Sequence, residues 1–284
     1  MKILVTGATG QLGSEIREIS SDYIEYTFVF CSSKELDICK YEEVFNFIET
    51  NNITTIINCA AYTAVDKAEI EVELANAVNH LAVANLAKIS AKKNIQLVHI
   101  STDYVFDGTN YLSYKETDQT NPQTMYGSSK LAGEKAMLLA NPSNSCIIRT
   151  SWVYSKYGNN FVKTMLRLAS HRKELNVVAD QIGTPTYALD LALTIFKVIP
   201  QLKNENVELL NYSNDGACSW YDFAHFIFEK SNLKIKLNPI DTEQYPTPAK
   251  RPYFSLMSKE KIKTMYGVES KHWESSFSNY LLNQ

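Results

Sequence analysis

Apolar and polar positions change rhythm along this chain in a way that separates strands from helices. Short, nearly continuous apolar runs rich in β-branched residues fall at 3–6, 26–30, 55–58, 97–101 and 145–150. Runs of that length predict strands covered on both faces. Helical spacing takes over between them, first at 11–20. Residues 71–93 then carry Leu74, Val78, Leu81, Ala82, Ala84, Leu86 and Ile89 three or four apart, which predicts one long helix with a wide apolar face. Asn79 interrupts that face and reads as a hydrogen-bonded core amide. Strands alternating with helices predict an α/β fold with a doubly wound parallel sheet.

After position 150 the rhythm is less regular and aromatic residues cluster. Trp152, Tyr154, Tyr157 and Phe161 are followed by Trp220, Tyr221, Phe223, Phe226 and Phe228, enough for the core of a second lobe. An apolar run at 207–211 reads as a strand returning to the first sheet. The expected organisation is therefore a sheet domain over 1–152, rejoined by about 180–213, with a smaller, interleaved α/β lobe over 153–284. Residues 238–252 hold four of the eight prolines and predict an irregular loop over the cleft.

Composition narrows the partners. The 284 residues are 45% hydrophobic, enough for one large domain and a smaller lobe. A formal net charge of -3, with Lys and Arg spread along the chain, gives no basic stripe, so nucleic acid is not an expected partner. Nor is a membrane: no apolar segment has spanning length, and the first residues read as a buried strand, which predicts a cytoplasmic protein. The five cysteines are odd in number and lack a C-x-x-C pair, so they read as reduced thiols.

The first strand runs directly into Gly7, Gly10 and Gly13. Gly7 permits a sharp turn, Gly10 lets backbone approach a phosphate, and Gly13 lets the next helix lie close on the strand. The free N–H groups at the start of that helix, Gln11 and Leu12 among them, then face an anion. This is a dinucleotide site, and it makes 1–152 a Rossmann domain that binds NADPH or NADH. An acidic residue after the second strand would favour NADH, but Ser32, Ser33 and Lys34 stand there and tolerate a 2′-phosphate. NADPH is expected to serve at least as well.

Tyr126 and Lys130, four apart on a predicted helix, share one face about 6 Å apart along the axis. An ammonium beside a phenol favours its anion and brings proton exchange within reach. Tyr111 and Lys115 repeat the spacing, but in a polar loop. Ser101, Thr102 and Asp103 end the fourth strand, where doubly wound sheets bind ligands. A hydroxyl there can hold a carbonyl oxygen or cap a turn, and the sequence favours neither. His99 reads as a core residue.

Gly7-x-x-Gly10-x-x-Gly13, Thr102 and Tyr126-x-x-x-Lys130, in that order, resemble the extended short-chain dehydrogenase/reductase family. Five longer phrases resemble its members that act on the C4 ketone of dTDP-4-dehydro-L-rhamnose. They are Asn58-Cys-Ala-Ala-Tyr-Thr-Ala-Val-Asp-Lys-Ala-Glu69, Ser101-Thr-Asp-Tyr-Val-Phe-Asp-Gly108, Arg149-Thr-Ser-Trp-Val-Tyr154, Asn160-Phe-Val-Lys-Thr-Met-Leu-Arg167 and Asp180-Gln-x-Gly-x-Pro-Thr186.

The resemblance implies an NAD(P)H-dependent reductase with a nucleotide-sugar substrate, making dTDP-L-rhamnose for surface polysaccharide. It implies Thr102, Tyr126 and Lys130 as catalytic, and Ala61, Tyr62 and Thr63 beside the cofactor with Asp37 and Ile38 by its adenine. It also implies Asp103 and Trp152 on the sugar nucleotide, though Trp152 reads equally as core between lobes. Arg251 is a candidate fork for the diphosphate. Some members of the family depend on Mg2+ between subunits. No compact carboxylate cluster marks a metal site in this sequence, and Mg2+ and a homodimer are left open. Dehydratase relatives follow the Thr with Asp-Glu, and here Tyr104 follows Asp103. Epimerase-reductases of the GDP-fucose type carry Cys at the position of Asp103. A non-catalytic regulatory subunit of the methionine adenosyltransferase β type keeps the same motifs and stands as the alternative.

Overall fold

The computed structural model describes residues 1–283. The first half alternates β1 (Lys2–Thr6), α1 (Gln11–Ile19), β2 (Thr27–Cys31), α2 (Tyr41–Thr50) and β3 (Thr55–Asn58). Then come α3 (Val65–Ala68), α4 (Val72–Asn76), a π-helical turn (Ala77–Leu81), α5 (Ala82–Lys93), β4 (Gln96–Thr102), α6 (Met125–Ala140) and β5 (Cys146–Thr150). The second half contains β6 (Val153–Tyr154), α7 (Phe161–Ala169), β7 (Glu174–Val178), β8 (Ile182–Gly183), β9 (Thr186–Tyr187), α8 (Ala188–Val198) and β10 (Glu208–Asn211). It closes with β11 (Cys218–Ser219), α9 (Trp220–Lys230), β12 (Lys236–Ile240), α10 (Glu260–Tyr266) and α11 (Trp273–Leu282).

Six of these strands form one parallel sheet in the order β10-β5-β4-β3-β1-β2. Successive side chains of a strand point to opposite faces, and here both faces are covered, which is why the strand sequences are apolar throughout. Ile3, Val5, Ile57, Val98, Ile148 and Leu210 pack on one face with Ile16 of α1 and Leu191 and Ile195 of α8. Leu4, Ile56, Leu97 and Ile147 face the other way, against Val44 of α2, Leu86 of α5 and Met137 of α6. The chain leaves β1 for β2 on one side and continues through β3 on the other, so the sheet order reverses between β1 and β3. A crevice opens at such a reversal, off the carboxyl ends of the strands.

A second apolar core gathers Tyr154, Val162, Leu175, Tyr187, Phe223, Trp273, Phe277 and Tyr280. Three small sheets pair around it: β7 with β12, β8 with β11, and β6 with β9. The chain crosses between the two cores more than once, since α8, β10 and Ile262 of α10 pack with the large sheet.

Two elements differ from the sequence reading. The helix expected over 71–93 is broken by the π turn, where Asn79 carries a structural load: its side chain accepts from the Tyr62 N–H at 2.8 Å and donates to the Tyr62 carbonyl at 3.0 Å. The proline-rich loop expected over 238–252 starts as strand, because Pro239 lies in β12. In a two-stranded sheet β12 is an edge, where a missing N–H is tolerated. Among the described residues no helix is long and apolar enough to cross a membrane.

Candidate active site

The turn after β1 is shaped around absent side chains. Gly7 has φ +65°, and a methyl there would lie 2.6 Å from the Ala60 nitrogen in the loop after β3. A methyl on Gly13 would lie 2.5 Å from the Gly7 carbonyl oxygen. Both are below any contact a carbon can make, so these glycines set how closely β1, α1 and the 59–63 loop converge. Gly10 caps α1 in extended conformation, and no side chain satisfies the first amides of the helix. An uncapped helix start at a sheet reversal suits a pyrophosphate. Leu12 is buried in the core and Gln11 points its side chain at the second lobe, accepting from Asn160 at 2.9 Å, so both offer the cradle backbone only.

Ala61, Tyr62 and Thr63 follow Ala60 in the loop between β3 and α3. Tyr62 is fixed through Asn79 at its backbone and through Glu71 at its hydroxyl, 2.6 Å away. Ile38 is buried and Asp37 accepts from the Cys39 N–H in an exposed turn. Beyond β2, the Ser32 N–H donates to the Glu35 carboxylate at 2.7 Å, a contact that holds Glu35 below the usual carboxylate range. Glu35 was not weighed in the sequence reading, which stopped one residue short at Lys34. Arg17 of α1 lies over the Phe30 ring at 4.3 Å and adds a cation to this corner.

Thr102, Tyr126 and Lys130 meet at the carboxyl end of β4. Thr124 caps α6 by accepting from the Gly127 N–H at 3.0 Å, which starts the helix so that Tyr126 and Lys130 share its inner face. The Thr102 hydroxyl takes the capping part of the two that the sequence left open. It accepts from the Tyr104 N–H at 3.2 Å as a turn cap, and it faces the Tyr126 phenol, whose pKa it lowers. Burial outweighs that contact and pushes Tyr126 up to about 12. Tyr104 packs edge-on against Tyr126, ring centres 5.4 Å apart.

Lys130 is 1% exposed, and burial lowers its ammonium to about 8. Its Nζ donates to the Ile100 carbonyl at 2.6 Å and lies 3.4 Å from His99 Nε2. Glu134, one turn further along α6, favours the charged lysine and is itself gripped by Arg149 of β5 through two bonds of 2.9 and 2.7 Å. The sequence carried a signal for Glu134, four residues after Lys130 as Lys130 is after Tyr126. Asp103 is 3% exposed; burial lifts it to about 6 although it accepts from Thr102 at 2.9 Å. Its carboxyl lies beside the Ser255 hydroxyl, and its Oδ2 has no hydrogen-bond partner.

Trp152 adopts φ +48° and stacks on Trp220 at 3.5 Å, joining the end of β5 to the second lobe. Arg251 is drawn to Asp66 of α3 at 2.6 Å, which straps the 246–252 segment across to that helix. Asp66 and Trp220 were not singled out from the sequence as site residues.

The family model described as the RmlD substrate binding domain matches residues 1–284. The chain belongs to this family. RmlD-type relatives match at full length: a dTDP-4-dehydrorhamnose reductase of Aggregatibacter actinomycetemcomitans is 42% identical, with 98% of this chain and 97% of that protein covered. Among solved structures, a dTDP-4-dehydrorhamnose reductase of Clostridium acetobutylicum superposes with a TM-score of 0.95 at 40% identity, covering 100% of both chains. One from Bacillus anthracis, solved in complex with NADP, gives 0.95 at 38% identity, covering 100% of this chain and 99% of that one. The RmlD fold is also that of a Bacillus anthracis dTDP-glucose 4,6-dehydratase, at 19% identity and a TM-score of 0.83.

Proposed function

We propose that this chain is a dTDP-4-dehydrorhamnose reductase, an oxidoreductase that uses NADPH or NADH to convert dTDP-4-dehydro-L-rhamnose to dTDP-L-rhamnose. The observation that carries the reading is the burial of Thr102, Tyr126 and Lys130 together at the end of β4, in the sheet whose β1 turn is emptied of side chains, in a chain matched end to end by reductases of that name.

The empty turn, the uncapped start of α1 and the 61–63 loop fit a dinucleotide, with the amides of Gln11, Leu12 and Gly13 toward its pyrophosphate. When bound, the reduced nicotinamide supplies hydride to the ketone carbon. Tyr126 gives its phenolic proton to the ketone oxygen, and Thr102 orients that oxygen by hydrogen bonding. Lys130 holds the nicotinamide ribose, and its charge eases loss of the phenolic proton. A phenol raised to about 12 in the free protein is protonated at neutral pH, as an acid must be before it acts. Asp103 and Trp152 hold the sugar nucleotide. Arg251 reaches its diphosphate by leaving Asp66, one anion replacing another.

Asp37 and Ile38 border the adenine. With Arg17, Ser32, Ser33 and Lys34 around the ribose corner and Glu35 as the opposing charge, NADPH serves at least as well as NADH. The large sheet carries the cofactor, and the sugar nucleotide lies between it and the second lobe.

The test is a direct one. Purified protein is mixed with dTDP-4-dehydro-L-rhamnose and each reduced cofactor, nicotinamide absorbance is followed, and the product sugar is identified. Cofactor oxidation that yields dTDP-L-rhamnose is expected. Absence of oxidation with a correctly folded protein refutes the reading and returns the chain to a binding role.

A further inference from the structure

Three polar side chains form a row across the sheet beneath the site. Thr6 stands opposite Asn58 and Asn58 opposite His99, so β1, β3 and β4 each contribute one, and all three are buried. The row has a direction. The Ala60 N–H, which can only donate, reaches Asn58 Oδ1 at 3.3 Å, and the Thr6 hydroxyl donates to the same oxygen at 2.6 Å. The other end of the amide must therefore be Nδ2, and it donates to His99 Nδ1 at 3.0 Å. A neutral imidazole that accepts at Nδ1 carries its proton on Nε2. Burial first, and then the Lys130 charge, keep His99 well below its usual pKa, so it stays neutral. Its Nε2–H points at Lys130 Nζ, 3.4 Å away. Two donors oppose each other there while the lysine is an ammonium, and a good hydrogen bond forms when it is the free amine.

We propose that His99 is a positioning residue for Lys130: locked by Asn58 as the Nε2–H tautomer, it disfavours the ammonium and stabilises the free amine, so the row Thr6–Asn58–His99 sets the lysine charge from within the sheet. The remaining neighbours do not supply this contact. Glu134 on the same helix favours the ammonium and is engaged by Arg149 of β5. The Ile100 carbonyl of β4 accepts from Nζ. Asp103 and Tyr104, in the turn after β4, bear on Tyr126, one turn before the lysine. Asn79 of the π turn binds Tyr62 and Ser129, and Glu69 after α3 binds the Met125 N–H. The proposal rests on Lys130 serving the reductase, but its readouts use the unliganded protein, so failure of ketosugar turnover leaves them intact.

Long-range 1H–15N NMR of the full chain with 15N-labelled histidine tests the tautomer, with His99 assigned as the signal missing from His99→Leu. A ring protonated at Nε2 and not titrating from about pH 6 to 9 is expected. A proton on Nδ1, or an imidazolium forming in that range, overturns the proposal. In protein labelled at lysine Cε, Lys130 is expected to titrate near 8 in the wild type. The midpoint should rise by roughly half a unit to one unit in His99→Leu, where the opposing N–H is gone. An unchanged or lowered midpoint overturns it equally. If His99→Leu does not fold, His99→Met serves for both assignment and titration.

Discussion

Gly10→Ala separates the cofactor cradle from the fold. The backbone at Gly10 has φ -76° and ψ 176°, which alanine adopts without strain, and the nearest atom to a methyl built there is the Gly7 carbonyl oxygen at 3.2 Å. That contact is a few tenths of an ångström tight, and the stiffer unfolded chain offsets it, so stability should change by less than about 1 kcal/mol. Gly13→Ala is the control. Its methyl would lie 2.5 Å from the Gly7 oxygen and 2.7 Å from the Ala8 Cα, both backbone, and α1 must move off β1 to admit it. An overpacked site of this kind costs about 1–3 kcal/mol.

Binding should follow the opposite order to stability. On the reading above, the Gly10 methyl projects into the space of the pyrophosphate, and an overlap costing about 1–3 kcal/mol weakens NADPH binding by roughly five- to 150-fold. Urea unfolding followed by tryptophan fluorescence gives the first quantity, and calorimetric titration with NADPH gives the second. Gly10→Ala should unfold with the wild type yet bind NADPH at least about fivefold more weakly. Wild-type affinity in a folded Gly10→Ala protein would refute the placement of the pyrophosphate over that glycine.

Other perturbations follow from the same geometry. Tyr126→Phe removes the proton donor while keeping the ring against Tyr104, so NADPH binding should stay within a few-fold while turnover falls by roughly 10²–10⁴, measured by single-turnover kinetics. Asp103 is raised to about 6 by burial, so its ionised form weakens the fold above that pH, and the penalty fades as pH falls toward 3.8. Asp103→Asn should therefore gain about 2–3 kcal/mol in urea unfolding at about pH 8 and nothing near pH 4, at the expense of activity. Glu134→Gln leaves Arg149 charged with its side chain 3% exposed, and should cost about 3–5 kcal/mol. Glu134→Gln combined with Arg149→Met should recover much of that loss, and simple addition of the two single costs would show that the pair is not coupled.

The glycine turn and the Tyr126/Lys130 pair were legible in the sequence because each is local: seven residues, Gly7 to Gly13, in one case, one helical turn in the other. The apolar strands were legible for the related reason that a strand covered on both faces has no alternation to disguise. Thr102 was only half legible, since a cap and a carbonyl-binding hydroxyl require the same residue, and the structure shows it as a cap that also faces the Tyr126 phenol. Asn79 was read as a core amide, but the π turn that bends around it was hidden by a helical period that a single extra residue barely disturbs. Strand register decided what remained hidden. Thr6, Asn58 and His99 lie far apart in sequence, and slipping any one strand by one residue would turn its member to the opposite face. The same holds for Arg149, which meets Glu134 only because β5 lies beside β4 under α6. The residues proposed to contact cofactor and substrate are thus written in short motifs. The strand-borne groups Asn58, His99 and Arg149 are brought to those residues by pairings between strands, and a single sequence carries no mark of that until the sheet is assembled.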